Sequence, residues 1–261
     1  MALSTNVYVS AFKAALQTKL EYRADLVIGM LTALMLQLAA LSLLWIVLGK
    51  TPSLAGWSAA EVLFLFGMTA ACLGGSELLF NQIWFLPQSI IAGDLDRLLT
   101  YPVNTLAFFL VTRPELHAFG NLLTGCVYVA CSLWVLSAAW YVWLVVPLLM
   151  LCGTLIYTSA LVIFGCLSFR FMGPFAHILL LPLNLLQATR YPLAVYPRWL
   201  RLVLLFAVPY GSFHYLPARS LFGKTSSLGG LVVAPLVTAL CLWLAHRAWS
   251  AGLRRYESSG S

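Results

Sequence analysis

Charge is what this chain has least of. Only 9% of its 261 residues are Asp, Glu, Lys or Arg, against 62% hydrophobic residues, and the mean hydropathy is +0.92. So little polar surface cannot cover a soluble core, which excludes an ordinary water-soluble domain and makes the bilayer the solvent. Acids are scarcest: the aspartates are Asp25, Asp94 and Asp96 alone. Asp94 and Asp96 stand two apart, on different faces of a helix. No paired carboxylates face each other across a span, and His117, His177, His214 and His246 are singletons without a Ser/His/Asp grouping. Catalysis therefore has no constellation to work with. The six cysteines, Cys72, Cys126, Cys131, Cys152, Cys166 and Cys241, lie in apolar runs without metal-ligand spacing. They are expected to act as small buried hydrophobes, with no disulfide and no metal. The first 25 residues lack a continuous apolar h-region, so no cleavable signal peptide is expected. The net charge of +7 comes from fifteen Lys and Arg spread singly between apolar runs. That distribution fits the flanks of membrane spans and excludes a nucleic-acid patch.

What the chain does have is long apolar runs. Before them, Tyr8, Phe12, Leu16 and Leu20 recur every four residues with Lys13, Gln17, Lys19 and Glu21 on the other faces. This pattern predicts an amphipathic helix over about 6–22 lying in the membrane interface, the alternative being a polar lead-in to the first span. A helix needs about 20 apolar residues to cross roughly 30 Å of hydrocarbon. Runs of that kind predict spans over about 26–48, 62–80, 118–137, 142–167, 171–189 and 226–246. Residues 118–167 carry no formal charge, and Trp134, Trp140, Tyr141 and Trp143 mark the break between two helices there as an interfacial belt. Pro174 and Pro182 distort the fifth. Residues 202–213 are too short to cross, which predicts a re-entrant hairpin over about 196–218; were they to cross, the spans would number seven. With six spans and both termini cytoplasmic, nine basic residues fall inside and six outside, five of those six between residues 190 and 224.

Three features invite a chemical reading. ARSLFGKT at 218–225 fits a relaxed phosphate-loop pattern, but it has neither a strand before it nor an aspartate ending a second strand. Glu77 stands inside the second span, where a carboxylate needs a partner or a wet cavity, and Asn81 and Gln82 follow it. Gly74-Gly75-Ser76 is best read as small residues that allow close helix packing. The prolines and the half-span all lie in the second half, which argues against the inverted repeats of a secondary transporter.

The most polar segment between spans, about 90–104, contains AGDLDRLLTYPVN. IIAGDLDRLLTYPVNTLAFFL at 90–110 resembles the G-x-(L/I)-D-x-x-L-x-x-P-(V/L)-N stretch of ABC-2 type exporter permeases. ATRYPLAVYPRWLRLVLLFAVPYGSFHYLPARSLFG at 188–223 looks like that family's segment before the last span, and LEYRADLVIG at 20–29 like its first-span entry. Thr100-Tyr101 departs from the pattern where a basic residue is expected before the proline. The resemblance implies an all-α membrane protein, a single permease domain over 1–261 with six spans, an interfacial helix, a cytoplasmic coupling helix and a re-entrant hairpin. It also implies a bacterial plasma (inner) membrane, a second permease copy or sister permease, and two cytoplasmic ATPase subunits that bind ATP and Mg, none of it on this chain. Asp94, Asp96 and Arg97 would make charged contacts with the ATPase, Leu95, Leu98 and Leu99 would seat in its groove, and Pro102 would end the coupling segment. Glu77 and Asn81 would line the substrate path. The competing class is an ATP-independent membrane protein: a secondary transporter, scaffold or intramembrane enzyme.

Overall fold

The computed structural model describes residues 23–50, 53–101, 103–170, 175–225 and 229–256, together with Ser10, Lys13 and Gln17. Those three are helical and exposed; the rest of the expected interfacial helix lies outside the described residues. No strand occurs among the described residues, where the β-type pairing is an isolated bridge between Leu54 and Trp57.

Helix α1 runs Arg23–Lys50. Helix α2, Ala59–Phe80, starts where Ser58 and Glu61 form a capping box: Ser58 N–H donates to Glu61 Oε2 at 2.7 Å and Glu61 N–H donates to Ser58 Oγ at 3.4 Å. A 3-10 turn at Asn81–Phe85 and helix α3, Leu86–Ile91, continue it, with Pro87 tolerated in the first turn. Gly93, at φ 74°, ends this stretch in a left-handed conformation and opens α4, Asp94–Leu99. Helix α5, Thr105–Val111, is capped by Asn104, whose side chain accepts from Ala107 N–H at 3.1 Å. Helices α6, Phe119–Val135, and α7, Trp140–Gly165, are separated by a turn with Ser137 at φ 49°. Trp134 and Trp140 flank that turn and are 79% and 76% exposed, as aromatics at a membrane interface are. Short helices α8, Leu180–Ala188, α9, Arg198–Leu202, and α10, Tyr215–Leu221, precede the long α11, Gly229–Leu253.

Helix α2 is the centre of the bundle, packed along α6 and α7, while α11 lies against α7 on the outside. The α2–α6 contact depends on small residues. A Cβ at Gly74 would strike the Leu122 backbone, and one at Gly125 would strike Ala71 and the Gly67 carbonyl. Lipid tails are as apolar as side chains, so helices associate here by close approach rather than by expelling water. Gly75 likewise lies against Thr154, and Ser76 Oγ is 2.8 Å from Thr158 Oγ1, so Gly74-Gly75-Ser76 is a packing element.

Among the described residues, four helical stretches are long and apolar enough to cross a membrane: Ala59–Ile91, Leu116–Val135, Trp140–Phe169 and Gly229–Leu253. The shorter apolar helices Leu26–Ser42 and His177–Ala188 stand where the sequence predicts the first and fifth spans. The fifth region is shortened by a 3-10 turn, Phe175–Leu179, before α8, which also carries Pro182. Between 190 and 225 the chain breaks into short helical pieces, with Leu193, Leu204, Tyr210, Phe213 and His214 fully buried. Arg201 binds the turn ahead of it, donating to the carbonyls of Leu193, Ala194 and Tyr196 at 3.1, 3.1 and 3.3 Å. His214 is held between two carbonyls, with Nδ1 2.9 Å from Tyr210 O and Nε2 2.8 Å from Thr189 O. One cysteine expectation needs correcting. Cys72, Cys152 and Cys241 are buried, but Cys126 and Cys131 are exposed, because they fall on the side of α6 turned away from α2.

Candidate coupling surface and polar seam

Helix α4 is fastened on one side and open on the other. Leu95 is 1% exposed and belongs to the main apolar core, and Leu98 packs partly against that core. The sequence-based seating of Leu95 in a partner's groove is therefore corrected: its side chain holds α4 to its own bundle. Asp94, Arg97 and Leu99 are exposed, Asp96 is half-buried, and Pro102 lies outside the described residues. The acids stand in the first turn and Arg97 in the last, the arrangement that a helix dipole favours. Asp94 and Arg97, three apart, thus share one exposed side of α4, while the exposed Leu99, two beyond Arg97, stands on another.

The end of α11 braces this segment from behind. Trp249 Nε1–H donates to Thr105 Oγ1 at 3.1 Å, and its ring lies 5.5 Å from Phe109 and 5.9 Å from Phe169. Phe169 in turn meets Tyr256 edge-on at 6.2 Å. Burial, and then the neighbouring Asp96 and Asp94 carboxylates of α4, push the Tyr256 phenol above its ordinary range. The ends of α7 and α11 and the helices α4 and α5 form one aromatic-lined unit. Its sequence signal was weak: Trp249 lies just past the predicted end of the last span, among arginines, and nothing in the linear pattern ties it to residues 105–109.

Glu77 has a partner that the sequence reading missed. Asn121 on α6 donates from Nδ2 to Glu77 Oε2 at 3.2 Å, and accepts at Oδ1 from Gln37 Nε2 of α1 at 3.0 Å. One turn on, Asn81 Nδ2 reaches Glu115 Oε2 at 3.5 Å, and the other Glu115 oxygen is 3.0 Å from His117 Nδ1. Glu77 and Asn81 thus belong to a seam of amides and carboxylates joining α1, α2 and the chain entering α6. The available signal was Asn121 itself, an amide early in the charge-free run.

The phosphate-loop look-alike has a different use. Residues 218–221 lie in α10, and Lys224 Nζ is 2.9 Å from Glu61 Oε1, donates to Gly56 O at 2.8 Å and stands 4.9 Å over the Trp57 ring. Trp57 stacks on Tyr215 at 5.4 Å. Helix, lysine and tryptophan tie the 53–58 turn to the segment before α11.

A family model described as ABC-2 family transporter protein matches residues 34–260. The chain belongs to that family. No curated protein and no solved structure matches it. An ABC-2 family protein is a membrane protein of the transport class, in general a non-catalytic membrane subunit that works with ATPase subunits. The match runs from within α1 through α4, the polar seam and the whole of α11, so every part of the site described above belongs to the ABC-2 region.

Proposed function

We propose that this chain is the transmembrane permease subunit of an ATP-binding cassette exporter, with α4 as the helix that receives force from a separate ATPase. The observation that carries the reading is the construction of α4 within an ABC-2 family chain. It is anchored inward through Leu95, joined to Trp249 through the neighbouring α5, and presents Asp94, Arg97 and Leu99 to the outside. A flexible loop could not transmit a push; a helix packed between α3 and α5, which lead to α2 and α11, can. Coupling also requires different contacts in two states, which the exposed Asp94 and Arg97 and, on another side of the helix, the exposed Leu99 can supply.

In this reading α1 and the 175–188 region are the first and fifth of six spans, the termini and α4 are cytoplasmic, and 190–225 is a re-entrant hairpin on the opposite side. The permease pairs with a second copy or a sister permease in a bacterial inner membrane. ATP and Mg belong to two partner ATPase subunits. Glu77 and Asn81 line the route of an amphipathic, lipid-like, peptide or drug substrate, because an ion or sugar would need more polar lining than these spans possess.

The test is co-purification from native membrane in mild detergent. An ATPase bearing a phosphate loop is expected to come with the wild-type chain and to be lost from the double variant Asp94→Lys, Leu99→Asp. Both residues are exposed, so stability is expected to change by no more than about 0.5 kcal/mol. Recovery of the chain without any ATPase, or an ATPase retained undiminished by the double variant, overturns the proposal and moves the protein to an ATP-independent role.

A further inference from the structure

The last helix carries a second arrangement that coupling does not use. Leu236, Leu240, Trp243, Arg247, Ser250 and Arg254 recur at alternating steps of four and three, so they form one stripe along α11. Its upper part is apolar and open, with Leu236 65%, Leu240 54% and Trp243 54% exposed. Its lower part is cationic. Arg247, Ser250, Ala251, Arg254 and Arg255 line one cleft of about 440 Å³ at the α4 end of the molecule. The small Ser250 and Ala251 leave room between arginines two turns apart. Ser250 Oγ donates to His246 O at 2.9 Å, so the donors free in the cleft are the guanidiniums. The Arg247 guanidinium lies 5.3 Å over the Trp243 ring, at the junction of the two parts. Among the described residues no carboxylate pairs with Arg247, Arg254 or Arg255.

A charge excess of this kind has an obvious tenant in a bilayer. Tryptophan sits at headgroup level, the apolar stripe faces acyl chains, and planar guanidiniums bind phosphate oxygens in pairs. We infer that the Arg247–Arg254–Arg255 cleft is a binding site for the phosphate of an anionic phospholipid, whose acyl chains lie along Trp243, Leu240 and Leu236. Three clustered cations, with no carboxylate against them among the described residues, favour a lipid with net negative charge over a zwitterionic one, in which the choline would meet the same arginines. The inference needs only that α11 spans a membrane, so it can fail while the exporter reading stands, and the reverse.

The experiment is native mass spectrometry of the full chain in detergent, titrated with phosphatidylglycerol or phosphatidylcholine of the same acyl chains. Wild type is expected to retain phosphatidylglycerol preferentially. The triple variant Arg247→Gln, Arg254→Gln, Arg255→Gln is expected to lose that preference by about tenfold or more, since each basic group adds to the attraction of an anionic headgroup. A charge-matched control, Arg97→Gln, Arg113→Gln, Arg170→Gln, is expected to keep it. Circular dichroism checks that both variants remain helical. Equal phosphatidylglycerol retention by wild type and the cleft variant overturns the site, and so does an equal loss in the control, which would make the effect one of general surface charge. Displacement of phosphatidylglycerol by inorganic phosphate at comparable concentration overturns the lipid assignment and leaves a simple anion site.

Discussion

Single side chains decide whether a polar group is tolerable inside this bundle. Asn121 is the clearest case, because its amide serves Glu77 and Gln37 at once. Asn121→Leu would keep the volume and leave the buried Gln37 and the half-buried Glu77 without that partner. A buried polar group stripped of its hydrogen bond costs about 1–3 kcal/mol, although partners found elsewhere in a membrane can halve that figure. The expected outcome is a lower thermal unfolding midpoint in detergent for Asn121→Leu, with a smaller change for Glu77→Gln, which keeps an acceptor within reach. Equal midpoints for Asn121→Leu and wild type would mean that the seam contributes nothing to stability. Sequence reasoning had demanded a partner for Glu77 on the ground that a lone intramembrane carboxylate is costly. It could not say which residue, since Asn121 lies 44 positions away.

At the level of helices, close approach does what water does in a soluble protein. Gly67, Gly74 and Gly125 let the α2 and α6 backbones touch, and any larger residue forces them apart. Gly125→Val is expected to destabilise the protein by about 1–3 kcal/mol or more, the usual cost of overpacking, because the added Cβ alone would meet backbone atoms of Ala71 and Gly67 that cannot move aside. Thermal unfolding reads this directly; a wild-type midpoint would show that α6 can slide without cost. The break between α6 and α7 was legible from the aromatic cluster, since amphipathic rings at headgroup level mark where helices leave the membrane. The length of α2 was not. The sequence predicts an end near Phe80, yet helical winding continues to Ile91, and Glu77 therefore stands well inside a 33-residue stretch.

Across the whole molecule, one end is welded into a unit. Trp249 links α11 to Thr105 and Phe109, while Tyr256 stands beside Asp96. A push on α4 in this structure reaches α11 through α5 and Trp249, as well as α2 through α3. Trp249→Leu keeps apolar bulk but removes the indole N–H and the ring contacts. Hydrogen exchange is expected to quicken together in residues 94–111 and 250–256, as a unit loosened at its joint would show. Faster exchange confined to the turn around residue 249 would mean that the two parts are not joined. The opposite end is held by Lys224, Glu61 and Trp57, so the segment before α11 is tied at one end as α4 is at the other.

Composition and local pattern alone settle that this chain is helical and lives in a bilayer, and they mark residues 90–104 as the polar interruption. Hydropathy and turn chemistry act over a few neighbouring residues, so a linear reading captures them. Which face of each helix meets protein and which meets lipid is different, because both surroundings are apolar and leave the same mark on the sequence. That Leu95 points inward while Leu99 points out, that Cys126 is exposed and Cys72 buried, and that Lys224 answers Glu61 across 163 positions are matters of helix rotation and packing. Only the tertiary structure decided them, because each depends on where a second helix, distant in the chain, came to rest.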